Sequence, residues 1–554
     1  MRGSRLFLEL LKQEGVTVLF GNPGTTELPL MDALAAEDGI RYVMALQEAN
    51  ALAMADGYAR AAGRLGVVNL HVAPGFGNAF GMLFDAHKAG APLLVTAGQQ
   101  AQGFSLTEPN LYAELPPLAQ PFVKWAVEVR RTEDLPRVIH RAAKVALAPP
   151  TGPVFVSLPT DVMLGEAEVA LGRPSRVAPA VRGDAAAIAA AARLLAEAGR
   201  PLIVAGDAIS QSRAQAELVA LAELIGAPVH LEGETVRNDF PTRHPLFAGH
   251  LARAARVVRG VLERHDVVFS AGADLFTLSL PPDVEPVPDG VTLIHLDTDP
   301  WQLAKNYPTP AAILGDPKAT LPELTAAIAA AMGDAGRRAA RARREEAEQR
   351  LGERRAALHA RADALVSRRP LAPLAVIRAI AGVVPPEAVV VDEVISAGEG
   401  LREFLACDGP DGYHGVRGGG IGWGLPGAVG VALAHPDRPV VALVGDGATM
   451  YSPQALWTAA RENLWIVFVI LVNRNYNILQ QRLRGMRGSA EQTQNFVGMA
   501  LDRPAIDYAG LARSLGVEAY DVADLDTLRE RLGAGIAARR PVLLAVEMAQ
   551  DDGR

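Results

Sequence analysis

The segment 440–476 limits the architecture of this chain more than any other. Residues 440–444 form a continuous apolar run of strand length that ends abruptly in Gly445, Asp446 and Gly447. Two glycines in such a turn let a ligand approach the backbone closely. Ser452 and Pro453 then offer a helix start, helix formers run through 455–462, and Asn463 is a stop. A second apolar strand at 465–472 leads into Asn473, Arg474, Asn475 and Tyr476. Two parallel strands joined by one crossover helix present their carboxyl ends on the same edge, where open α/β sheets bind ligands. Asp446 and Asn473 should therefore meet in space.

A carboxylate and an amide oxygen converging beside a glycine-lined turn suit a hard divalent cation that carries a diphosphate. Magnesium prefers an octahedron of oxygens and completes its shell with phosphate oxygens and water. Taken alone, Gly-Asp-Gly after a strand is an ordinary turn, and a magnesium-dependent nucleotide-binding protein is one alternative. The order Gly-Asp-Gly, 25 residues, then Asn resembles the diphosphate-binding motif of the thiamine diphosphate enzymes. The resemblance implies that Asp446, Asn473 and an oxygen of Asn475 hold magnesium, and that Gly445, Gly447, Ala448 and Tyr476 lie against the cofactor. The usual motif ends in two asparagines. The first of them is Val472 here, a position that is not the metal ligand.

A chain of 554 residues exceeds what one core supports and suggests three or four domains. A net charge of −8 argues against a general nucleic-acid surface. The single cysteine, Cys407, rules out an internal disulfide and any cysteine-based metal site. Arg5, Glu9 and Lys12 interrupt the opening residues, and no 18-residue uncharged apolar run occurs. No membrane association is expected, and the cytoplasm is the expected address.

Residues 1–170 alternate helix and strand patterns, which argues for a doubly wound parallel sheet. A strand at 18–20 runs into the turn 21–27 with Thr25. Another at 42–46 runs into Gln47 and Glu48, and a third at 67–70 runs into His71 and the loop 74–78. Each residue has an ordinary explanation. The helix dipole favours a glutamate in a first turn, a threonine caps a helix, and a histidine after a strand serves as scaffold. Their convergence on one edge is harder to dismiss. Gly21-Asn22-Pro23-Gly24, Ala45-Leu46-Gln47-Glu48-Ala49, Asn69-Leu70-His71, Gly77-Asn78-Ala79 and Thr96-Ala97-Gly98-Gln99-Gln100 resemble the pyrimidine-binding domain of benzoylformate decarboxylase and its relatives. That resemblance implies that Glu48 hydrogen-bonds the aminopyrimidine ring of the cofactor and promotes deprotonation of its thiazolium carbon. It also implies that Thr25 holds the substrate carboxylate and His71 relays protons.

A central segment, 184–332, carries strands at 201–205, 228–231, 267–271 and 292–296 without a G-x-G-x-x-G fingerprint, and no phosphate loop occurs anywhere. The resemblance makes this a nucleotide-type fold, and FAD is not expected in it. Residues 333–369, rich in Ala, Arg and Glu, are expected to form a solvated linker helix with i,i+4 opportunities from Glu345 to Gln349 and Glu346 to Arg350. In the last segment, 370–554, a strand at 389–391 leads to Asp392 and Glu393, with Ser396 placed for a phosphate. A run of glycines spans 418–424. By resemblance, Gly419 offers a carbonyl to the pyrimidine amino group and Ile421 wedges beneath the cofactor. The polar stretch 480–506 is expected to cover the site.

The chain is thus expected to be α/β, with three doubly wound, mainly parallel domains: pyrimidine-binding, central and diphosphate-binding. The implied activity is thiamine diphosphate- and magnesium-dependent decarboxylation of a benzoylformate-like 2-oxo acid to an aldehyde. The alternative is a carboligase of the acetolactate synthase type, which joins the bound intermediate to a second carbonyl. The departure that keeps both open is Ser279, standing where the benzoylformate decarboxylases place a second histidine. The resemblance further implies a homodimer or homotetramer with active sites between chains.

Overall fold

The computed structural model describes residues 1–406 and 409–551, so Cys407 lies outside the described residues. Three six-stranded sheets follow one another along the chain, and the strand pairings among the described residues are parallel throughout. Parallel strands covered by helices on both faces need continuous apolar runs. Ile466–Val472 meets that need, and Leu93–Gln99, apolar but for Thr96, Gly98 and Gln99, is likewise buried at every position.

Counted from the start of each domain, the first and third sheets share one strand order, 2-1-3-4-6-5. The central sheet runs 3-2-1-4-5-6, the order of dinucleotide-binding folds. Two of its strands, Phe247–His250 and Ala311–Leu314, escape the sequence reading. Each has only four residues, too few to establish a period.

The strand order positions the candidate residues. Arg41–Met44, Val18–Gly21 and Gly66–Leu70 are neighbours in the first sheet, so the loops carrying Glu48, Thr25 and His71 open on one edge. Val389–Glu393, Val440–Gly445 and Ile466–Val472 are neighbours in the third, which does the same for Ser396, Asp446 and Asn473.

A single apolar core runs through the first and third domains, where helix Glu48–Ala62 lies against helix Gly424–Ala434. Both are built largely of alanine and glycine, and the backbones touch. A side-chain carbon added to Gly57 would lie 2.4 Å from the carbonyl oxygen of Gly427, and one on Gly430 would lie 2.0 Å from that of Met54. Glycine is required at both positions for this approach.

Several local expectations are corrected. The Gly-Asp-Gly turn opens a short helix, Asp446–Thr449, closed by a hydrogen bond from Thr449 Oγ1 to the Gly445 carbonyl. The expected loop 74–78 lies in helix Val72–Asn78, because Pro74 falls in the first turn, where its missing N–H leaves no bond unmade. The segment 480–506 is largely exposed but contains the end of helix Asn477–Met486 and all of Ser489–Thr493. The linker helix, Asp334–Ala364, is not solvated all round: Ala340, Ala347 and Leu351 are buried, and Arg355 donates to the carbonyl of His244 at 2.6 Å. Its side-chain pairs also differ from those expected. Glu345 pairs with Arg341, and Gln349 donates to Glu353.

Candidate active site

The site has two parts, one at the carboxyl edge of each outer sheet. In the first domain, Glu48 opens its helix behind Gln47, whose side chain accepts from the backbone N–H of Asn50. The carboxylate is 9 % exposed, and Asn78 donates to its Oε2 at 3.0 Å. Gly75 makes the room: a side-chain carbon there would stand 3.0 Å from Glu48 Oε1.

His71 ends the neighbouring strand. Its Nδ1 lies 2.8 Å from Oε2 of buried Glu27 and 3.3 Å from Thr26 Oγ1. Gly24 allows this approach, since a side-chain carbon on it would sit 2.0 Å from Nδ1. Glu27 also accepts from the Gly24 N–H and from Thr26. Thr25 itself is exposed, so the residues that touch His71 are Thr26 and Glu27. Neither was singled out from the sequence. A glutamate three residues after Gly24, in capping-box spacing, was the available signal. Val72, next to His71, is buried with φ of +46°, a conformation costing about 1–3 kcal/mol in a β-branched residue and characteristic of functional sites.

In the third domain the two strand tips meet as their spacing predicts, with Gly445 paired to Leu471. Asp446 is 2 % exposed; its Oδ1 accepts from Gly447 N–H at 2.9 Å and its Oδ2 from Arg474 N–H at 2.5 Å. Asn473 Oδ1 accepts from Asn475 N–H, and Asn475 Oδ1 from Gln480 at 2.6 Å. Burial pushes Asp446 up to about 6, against the pull of its backbone donors. These donors orient the carboxylate without supplying a full positive charge. A buried carboxylate beside amide oxygens fits a hard divalent cation, and phosphate oxygens would have to complete the shell. Among the described residues no cluster of three or more His, Cys, Asp or Glu offers a metal a protein-only cage.

The remaining candidates surround this point. Tyr476 lies over Gly447, where a side-chain carbon would come within 2.5 Å of its ring. Ala448 is buried in the short helix, and Ser396 is half-buried in the turn after Val389–Glu393. The glycine run has positive φ at Gly418, Gly419 and Gly422, and Ile421 packs partly against the shared core. Three acids hold that run. Glu393 accepts from Gly422 and Gly424 at 2.6 and 2.7 Å, and Asp85 of the first domain accepts from Gly420 at 2.9 Å. Asp56, also of the first domain, accepts from the Trp423 indole at 2.5 Å. Burial raises Glu393 to about 7 and Asp85 to about 8. The sequence reading placed Glu393 at a strand end but assigned none of the three this role, because a buried acid that accepts from distant N–H groups leaves no periodic pattern.

Comparison with known proteins agrees with this geometry. The thiamine pyrophosphate enzyme N-terminal TPP binding domain matches residues 1–111, the central domain of the same family matches 188–324, and its C-terminal TPP binding domain matches 400–546. Benzoylformate decarboxylase of Pseudomonas aeruginosa is 34 % identical over 97 % of both chains. An acetolactate synthase large subunit of Haemophilus influenzae is 26 % identical over 96 % of this chain and 91 % of its own. The solved structure of the thiamine diphosphate-dependent 4-hydroxybenzoylformate decarboxylase of Rhodococcus jostii RHA1 superposes with a TM-score of 0.87 at 31 % identity, covering all of both chains. Three family domains in order, and a relative of such identity along nearly the whole length, mean that this chain belongs to the thiamine pyrophosphate-dependent enzymes.

Proposed function

We propose that the chain is a thiamine diphosphate- and magnesium-dependent decarboxylase of an aromatic or branched 2-oxo acid, releasing an aldehyde. The observation that carries this reading is a pair of requirements met in one chain. A buried acid, Glu48, is held by Asn78, and a buried carboxylate, Asp446, is held beside Asn473. Identity to benzoylformate decarboxylase supports the substrate class. Asp446, Asn473 and Asn475 would hold the magnesium and, through it, the diphosphate. Gly445, Gly447, Ala448, Ser396 and Tyr476 would line that end, and Gly419 and Ile421 the middle. When bound, the cofactor supplies a nucleophilic carbon and an electron sink for the pair left by departing carbon dioxide.

The protein's part is orientation, exclusion of water and movement of protons. Glu48, with one oxygen held by Asn78, keeps the other for a proton exchanged with the aminopyrimidine. His71, fixed at Nδ1 by Glu27, takes or gives a proton at Nε2. Thr25, exposed at the edge, would meet the substrate carboxylate. Arg417, ion-paired with Asp207 and Asp274, lines a cavity of about 410 Å³ at the carboxyl ends of the central strands.

Ser279 favours a second reading, carboligation of the acetolactate synthase type. It lies in the loop after Val267–Ala271, with its N–H on the Arg253 carbonyl, and brings no imidazole to protonate the product. Incubation with a panel of 2-oxo acids, including benzoylformate and pyruvate, decides between them. Carbon dioxide with an equal amount of aldehyde is expected. A condensed hydroxy-keto product instead would establish the carboligase, and no carbon dioxide from any member would end both readings. The reading also includes assembly of at least two copies and a cytoplasmic setting, the latter supported by the single cysteine. Among the described residues no helix is long and apolar enough to cross a membrane.

A further inference from the structure

A cavity of about 330 Å³ lies on the edge of the central sheet opposite Asp207 and Gly272, between the amino ends of three strands and the helix Asp334–Ala364. Arg200 and Arg264 reach it from the segments that precede Pro201–Ala205 and Val267–Ala271. Arg343, Arg350 and Arg354 reach it from the helix. Steps of seven and eleven residues return to nearly the same side of an α-helix, so these three guanidinium groups form a row. Glu346 is the one acid on the wall.

This concentration of positive charge runs against the character of the chain, which carries 54 Lys and Arg against 62 Asp and Glu. Elsewhere on the same helix the arginines find acids: Arg341 pairs with Glu345, and Arg344 with Glu348 and Glu223. Among the described residues, none of the five cavity arginines forms an ion pair. Arg343 and Arg354 instead donate to the main-chain carbonyls of Ile225 and Ala248, at 2.8 and 2.7 Å. Such bonds fix a guanidinium without neutralising it. Nε of Arg343 and Nδ1 of His230 are buried with no partner. Burial first, and Arg354 after it, push the His230 imidazole down to about 3, so it adds no positive charge to the wall.

Unpaired guanidinium groups gathered around a recess repel one another, and an anion that bridges them removes that cost. We infer that this cavity binds a small anion bearing a diphosphate group, held by Arg264, Arg343, Arg350 and Arg354. Planar guanidinium forks match phosphate oxygens two at a time, and the volume is at the small end of ligand sites. The diphosphate group is shared by two sources, the free inorganic anion and the phosphate end of a nucleotide. The site lies on the edge of the central sheet away from the crevice at its strand carboxyl ends, and it involves neither Asp446 nor Asn473.

Calorimetric titration of the thiamine diphosphate-saturated enzyme with inorganic diphosphate, in excess magnesium and physiological salt, tests the inference. Saturable binding is expected, weakened about tenfold in R264Q and again in R350Q, because each loses a charge-assisted pair. Both side chains are exposed, and R343Q gives a third variant, at a half-buried position, to compare. Titration with adenosine 5′-diphosphate separates the sources: tighter binding than inorganic diphosphate, lost in the same variants, assigns the nucleotide. Equal or weaker binding, lost in the same variants, assigns the free anion. Absence of saturable binding, or identical binding by wild type and all three variants, would overturn the site.

Discussion

Glu48 and Asp446 are both buried carboxyls at strand ends, yet they answer to different tests. Glu48 accepts from Asn78, and under the proposed function it would exchange a proton with the cofactor. Glu48→Gln should retain thiamine diphosphate while losing activity by about 10²- to 10⁴-fold, the range for removal of an acid–base group. Turnover within a factor of a few of wild type would remove Glu48 from the chemistry. Asp446 is held by two backbone N–H groups, and under the proposed function its replacement would remove a metal ligand instead of a proton. After gel filtration in chelator and reloading with magnesium, Asp446→Ala should carry almost no cofactor. Full retention of cofactor by the variant would contradict the assignment. The sequence reached these two residues because a strand end followed by glycine or by a helix start is a local pattern. Glu27 and Asp85 escaped it because their partners, His71 and Gly420, are distant along the chain.

At the scale of elements, the glycine run 418–424 depends on acids from its surroundings. Glu393 binds two of its N–H groups from a buried position, and burial raises it from the usual 4.5 to about 7. A carboxyl raised on folding is protonated in the folded state while its unfolded counterpart has already ionised. Its contribution is therefore greatest below about pH 4.5 and declines as pH rises towards about 7. Urea unfolding at a series of pH values should show a decline across that window in wild type that is smaller in Glu393→Gln. Parallel profiles would mean that Glu393 is ionised in the folded protein. The strands that build the site were readable because each carries a short apolar stretch, broken by few polar residues, ahead of a turn or a helix start. The short helices at 72–78 and 446–449 were not, since four to seven residues containing glycine and proline carry no helical period.

At the scale of the whole molecule, Glu48 and Asp446 belong to different domains, and apolar side chains surround both edges. Phe104 and Leu106 are exposed on the first domain, and Tyr451, Met486 and Val497 on the third. Such exposure suits burial against a second copy. If each site combines the first domain of one copy with the third of another, inactive Glu48→Gln and inactive Asp446→Ala should rescue one another. Random re-pairing after mild dissociation leaves about a quarter of the sites intact, so recovery of roughly that share of activity is expected. Mixtures as inactive as the parents would place both residues of a site in one chain. Division into three α/β units was visible in the alternation of helix and strand. The shared winding of the outer two was not, because strand order arises from tertiary pairing alone.

The crossing of Gly57 over Gly427 and of Gly430 over Met54 governs how this machine can breathe. Packed elements slide when a layer of side chains between them can change rotamers. Where main chain rests on main chain no such lubricant exists, and the outer two units must travel as one block. Under the proposed function, passage of substrate and product would then fall to the exposed segments after Tyr476, which lie outside that block.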